Sequence, residues 1–212
     1  MKKLLLAASA VAMPIGLVAA TGGVASAGAP KVDVSNASIT CTSVTGQAKF
    51  APSLVLAGPF KPAENTNIKL ALSGCTVTGA PSVTISGGKG AGVLHSNSNS
   101  AAALLGPVVV TGQINIKWTS NVKLTSKQSS VNVTLVNGGV SAPYASLSVA
   151  AGKASVTGDF AGSDGGATST LYAETTQPVA AITTSASSSK GLKSINLGTD
   201  GTHALPNSLH LG

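Results

Sequence analysis

The sequence predicts an all-β fold, a single-domain antiparallel sandwich or flattened barrel of roughly nine to eleven strands, with one short helix near the C-terminal third. Three observations predict it. "VVVTGQINIKW" alternates apolar and polar residues along its whole length, and shorter alternations follow it between Gly-rich turn signals. Charged residues make up only 9% of the chain, far below the roughly 25% of an average globular protein. The wet face of each strand must therefore be built mainly from Ser, Thr, Asn and Gly.

Taken in chain order, residues 1–27 read as a secretory signal peptide. Lys2 and Lys3 form its basic start, Leu4 to Ala20 its apolar stretch, and "VASA" places Ala25 and Ala27 at a cut after Ala27. The predicted domain is then 28–212, secreted, with no transmembrane segment in the mature chain. "SITCTSVTG" and "LSGCTVTG" carry the only two cysteines, Cys41 and Cys75. An oxidising compartment allows them one bridge, which would stabilise the fold by roughly 4 kcal/mol in the chain-entropy model. Cys41 shares a parity with Ile39, whereas Cys75 falls off the parity of Leu70 and Leu72. A β-bulge at Gly74 would repair the mismatch.

The stretch from Gly87 to Leu105, "GGKGAGVLHSNSNSAAALL", reads as a long loop by its Gly, Ser and Asn content. It combines Lys89, His95, Asn97 and Asn99, which makes it the candidate binding loop. Val108, Val110, Gly112, Ile114, Ile116 and Trp118 then share one face of the longest strand. Val131, Val133 and Leu135 share a face of the next, which runs into "NGG", a turn signal. Ala145, Leu147 and Val149 form another apolar face, and Ala154, Val156 and Phe160 a further one, with Ala150-Ala151-Gly152 reading as the hairpin between them. "AGSDGGATS" is a loop. Pro178 to Ser189 is the predicted helix, with Val179, Ile182 and Ala186 at helical spacing and Gly191 as its stop. "LKSINLG" and "SLHLG" close the chain as brief strands.

Composition excludes several function classes. The mature chain keeps eleven lysines and six acids and has no arginine. Without a guanidinium fork, and with lysines scattered singly, no nucleic-acid partner is expected. Exposed aromatics for sugar stacking or single-strand binding are scarce, and Trp118 sits on an apolar parity. "GGKGAG" fails the phosphate-loop pattern, because Gly90 follows Lys89 where a Ser or Thr is required. His95 and His203 could be matched with Asp164 or Asp200 as a nominal triad, but no nucleophile elbow accompanies them. No metal site, cofactor or catalytic constellation is expected, and the chain reads as a non-enzyme.

The stretches "LSGCTVTG", "GPVVVTGQINIKW", "GDFAGSDGGATSTLYAETTQPVAAI" and "GLKSINLG" resemble those of a group of small exported β-rich hypothetical proteins of actinobacteria. The resemblance implies export and an actinobacterial origin. The group has no established activity, so no site residue comes with it. The expected function is a non-catalytic extracellular or cell-surface binding module, for a cell-surface partner or a small apolar ligand. The alternative is a passive structural or assembly protein of the envelope, with a secreted hydrolase behind both.

Overall fold

Apolar residues at every second position commit long stretches of this chain to strands with one dry face. A computed structural model describes residues 30–134, 136–141, 143–198 and 206–212. The predicted signal peptide, Leu135, Asp200 and His203 lie outside these residues. The strands are β1 Ser38–Leu54, β2 Glu64–Thr78, β3 Ile85–Ser96, β4 Pro107–Val108, β5 Val110–Ser120, β6 Ser129–Val133, β7 Val136–Ser141, β8 Tyr144–Val149, β9 Ala154–Gly158, β10 Thr170–Pro178, β11 Leu192–Leu197 and β12 Ser208–Leu211. The helix α1 spans Val179–Ser187. No described helix is long and apolar enough to cross a membrane.

All twelve strands belong to one antiparallel sheet, and the pairing closes it. Only Val109 separates β4 from β5, and together they pair with β6 and β7. In the same way β8 and β9 lie end to end along β7 and β6, and β11 and β12 lie end to end along β1. From β1 the pairing runs through β2, β3, β4/β5, β6/β7, β8/β9, β10 and β11/β12 back to β1. Of the two predicted architectures, the pairing follows the barrel. Closure removes the free edges of an open sheet.

The interior explains where the glycines go. Successive positions around one level of the barrel are Gly46, Leu70, Gly90 and Ile116. The next level reads Ala48, Ile68, Gly92, Ile114, Val131 and Val156. Small inward residues on one strand make room for Leu and Ile from its neighbours, the alternation that fills a narrow barrel. "SGGKGAGVLHS" is therefore strand β3 and not the predicted loop: Gly88, Gly90 and Gly92 lie on its inward parity, facing an interior that other strands fill. A loop begins only after Ser96, with a 3-10 turn at Ala101–Leu104 capped by the Ser100 side chain.

Two further expectations need correction. Asn137-Gly138-Gly139 is not a turn; it lies within β7, paired to Ser148, Leu147 and Ser146 of β8. Ala150-Ala151-Gly152 joins two strands that do not pair with each other, so it makes an offset between β8 and β9, not a hairpin. Gly152 supplies the positive φ, 76°, that this offset needs.

Cys41 and Cys75 form the disulfide, directly opposite each other on β1 and β2 with Cα atoms 3.9 Å apart. Gly74 does adopt a positive φ of 62°, and β2 does change parity there, burying Leu72 but half-burying Cys75. Yet β1 changes parity at the same level, from Cys41 to Val44. Cys41 opposite Cys75 and Ser43 opposite Ser73 keep one register, so no residue is inserted. Both strands kink together at Thr42 and Gly74, instead of one strand bulging against a regular partner.

The predicted helix is present. Pro178 is its N-cap, with φ −66°, and Ile182 and Ala186 are its buried residues. At one end of the barrel Trp118 packs edge-on against Phe160, ring centroids 5.4 Å apart. The Trp118 Nε1–H donates to Ser129 Oγ at 2.8 Å, and the Ser129 hydroxyl donates to the Asp159 carbonyl. The segment before β1 crosses this end, where Phe160 N–H donates to Val34 O.

Candidate functional site

The four residues of the predicted binding loop do not form one site. Lys89 and His95 are exposed on the outer face of β3, Asn97 is exposed beyond its end, and Asn99 is buried. Asn99 Oδ1 accepts from Lys61 N at 2.7 Å, and its Nδ2 donates to Ser53 O at 2.8 Å. It pins two chain segments to each other and is not available to a ligand. Replacing Asn99 with Ala should cost about 2–3 kcal/mol in a urea unfolding series, since two backbone groups lose buried partners. Lys89→Ser and His95→Ser, on the wet face, should each stay within about 0.5 kcal/mol of the parent.

Strand register assembles a different constellation. Lys89 lies directly opposite Lys117. Lys69 sits one diagonal step away on β2, since Ala71 is the partner of Lys89, and Lys49 is one step further on β1, opposite Asn67. These four side chains cross four neighbouring strands on the outer face. Like charges directly opposite one another are unfavourable in a sheet, and among the described residues no lysine has an ion-pair partner. All eleven lysines among the described residues are exposed.

The acids are sorted the other way. Glu64, Asp159 and Glu174 are buried, while Asp33 and Asp164 face solvent. Among the described residues the outer surface thus sets eleven exposed lysines against two exposed acids. Single lysines in the sequence hid this. The missed signal was their placement: "IKLAL", "GGKGAG" and "NIKWT" each put a lysine on the wet parity of a strand, and the register lines those strands up.

Beside the lysines runs a row of oriented amides. Gln113 Nε2 donates to Asn132 Oδ1 at 3.1 Å, and Ser130 Oγ donates to Asn115 Oδ1 at 2.8 Å. Asn115 Nδ2 approaches Gln113 Oε1 at 3.5 Å. His95 Nδ1 meets Asn65 Oδ1 at 2.6 Å; an acceptor there fixes the proton on Nδ1 and leaves Nε2 as an acceptor in the neutral ring. His210 Nδ1 instead contacts Thr40 Oγ1 at 3.0 Å. Asp164, a nominal triad partner, accepts from the Gly166 and Thr168 backbone and shapes the loop after β9. Among the described residues no group of three or more His, Cys, Asp and Glu side chains could hold a metal ion.

Burial is the main cause that raises the Glu64 carboxyl above its ordinary 4.5, opposed by the Thr66 hydroxyl and the Ala51 backbone. Burial likewise raises Asp159 above 3.8, opposed by the Ser126 backbone and reinforced by the charge of Asp33. Asp159 Oδ2 has no hydrogen-bond partner among the described residues. Both groups bind their proton more tightly in the folded chain than in the unfolded one. The stability they favour is greatest below the ordinary values and is lost as pH rises through each raised folded value. Asp159→Asn should therefore gain stability relative to the parent as pH rises from about 4 to about 7, read in paired denaturation series.

The barrel interior holds three apolar voids in file, of about 30, 40 and 60 Å³. Leu70, Ile114 and Val133 wall the first two together, and Ile68, Leu94 and Leu147 the last two. Even combined they fall short of the ~150 Å³ that admits one benzene, and well below the roughly 300–1,000 Å³ of ligand pockets. Among the described residues none of these three voids has room for a lipid-like guest. Two adjoining shallow depressions lie on the outer face. One, of about 430 Å³, includes Gln47, Lys69, Ala71, Lys89 and Ala91. The other, of about 690 Å³, includes His95, Gln113, Asn115 and Asn132 over Gly92 and Gly112. No protein-family model matches this chain, and no curated protein and no solved structure matches it.

Proposed function

We propose that the protein is an exported, non-catalytic binding module that engages an anionic ligand through the outer face of β1, β2, β3 and β5. The observation that carries this reading is the in-register pair Lys89 and Lys117, extended diagonally by Lys69 and Lys49, with no ion-pair partner among the described residues. A sheet that sets like charges side by side loses stability, and an anion bound between them reverses the sign of that interaction. The Cys41–Cys75 bridge supports an oxidising compartment outside the cytoplasm. The envelope-assembly alternative would draw on a long free strand edge. Ring closure works against it, and the outer side of β9 is covered by the following loop, where Val156 N–H donates to Gly165 O.

The test is calorimetric titration with polyphosphate at low salt. Lys89→Gln/Lys117→Gln should weaken binding about tenfold. Lys153→Gln/Lys190→Gln, of equal net charge, should change it less than about twofold. Equal losses in the two variants would reduce the effect to net charge and refute a site.

A further inference from the structure

We infer that the anion is a linear carboxylated polysaccharide lying across the outer face, its carboxylates on the lysines and its hydroxyls on the amide row. This inference rests on the reading above and specifies its ligand class. Three features of the furrow carry it.

The first is length. The two depressions adjoin along β3, through Gly90-Ala91 on one side and Gly92-Val93 on the other. Together they reach from Gln47 on β1 to Asn132 on β6, across five neighbouring strands. Four strand spacings make about 19 Å, more than a small ion can use and suited to an extended chain.

The second is chemistry. Lys69 and Lys89 line one side as point charges, and Lys117 stands beside them, opposite Lys89. At the other, the amides of Gln113, Asn115 and Asn132 are held by their mutual bonds, and each NH₂ keeps a further N–H to donate. His95 Nε2 adds an acceptor. Oriented amide donors with a nearby acceptor match vicinal hydroxyls, which both donate and accept. A polyanion without hydroxyls offers this row acceptors only and leaves the His95 Nε2 acceptor without a donor.

The third is what the face lacks. A bilayer surface is bound by basic groups together with inserting apolar or aromatic side chains. Of the large exposed apolar residues only Val93 lies here; Phe60, Leu105, Val109 and Val140 lie elsewhere. Single-stranded nucleic acid is held by stacking on aromatics, and no Phe, Tyr or Trp lines either depression. Their floor is small, Ala71, Ala91, Gly92 and Gly112, so a polymer can lie close to the sheet.

The experiment compares polygalacturonate with polyacrylate, a carboxylate polymer that has no hydroxyls, and with phosphatidylglycerol vesicles. The variants are Gln113→Ala/Asn132→Ala and Lys89→Gln/Lys117→Gln, each checked for a parent-like circular dichroism spectrum. The parent should prefer polygalacturonate. The amide variant should lose about tenfold for polygalacturonate and nothing for polyacrylate, and the lysine variant should weaken for both. An amide variant that binds polygalacturonate like the parent overturns the polysaccharide inference while leaving an anion site standing. So does equal or tighter parent binding to polyacrylate or vesicles. A lysine variant that binds both polymers unchanged overturns the inference and the anion site together.

Discussion

Replacing Cys41 and Cys75 together with alanine is expected to lower the unfolding free energy by about 4 kcal/mol, a large share of the roughly 5–15 kcal/mol that holds a domain together. The bridge spans a sequence separation of 34 residues, and the entropy it removes from the unfolded chain grows with that loop. Alanine is the right replacement because Cys41 is fully buried, where a serine hydroxyl would have to be desolvated. The loss should also be local in the native state. Beyond the kink at Thr42 and Gly74, β2 pairs only with β1, through Ser38 to Cys41 against Cys75 to Thr78. Amide exchange should accelerate first there, while Ala48 and Ile68, flanked by paired strands, keep their protection. A urea midpoint shift worth less than about 1 kcal/mol would show that the unfolded chain already holds these segments together.

Period-two patterning made most strands legible, because each has one face in the core. Val110, Ile114 and Ile116 are buried on the predicted parity, as are Val131, Val133 and Val156. The helix was legible for a different reason: Pro178 and Gly191 punctuate it, and Ile182 and Ala186 fall on one stripe. What sequence reading missed came from closure. Gly88, Gly90 and Gly92 look like a loop because glycine is taken as conformational freedom, whereas here it is missing volume that Leu70, Ile114 and Trp118 occupy. Gly138 and Gly139 misled in the same way inside β7. The lysine and amide face could not be seen at all, since Lys69, Lys89 and Lys117 become neighbours only once the register is fixed. The bridge needed no register, because a chain with two cysteines leaves one pairing.

The missing volume can be tested at one position. Gly92→Ala is expected to destabilise the protein by about 3 kcal/mol, the upper part of the range for overpacked cores. A Cβ at Gly92 would stand 2.1 Å from the Gln113 carbonyl oxygen and 2.7 Å from Ile114 Cα. Both atoms are backbone of β5, so no rotamer change relieves the clash, and the strand itself must retreat. In an open sheet an outer strand could swing away. In a closed ring β5 is also paired to β6, so its retreat strains the next interface as well. Gly90, two residues earlier on the same face, is the control. The three atoms nearest a Cβ there belong to side chains, Leu70 Cβ at 3.3 Å and Ile114 Cγ2 and Leu70 Cδ1 at 3.5 Å, so a shift of a few tenths of an ångström relieves the contact. Gly90→Ala should therefore cost less than about 1 kcal/mol. Denaturant unfolding of the two variants separates these cases. If Gly92→Ala and Gly90→Ala fall within about 0.5 kcal/mol of each other, the strands do not approach as closely as the small-and-large packing of the barrel requires.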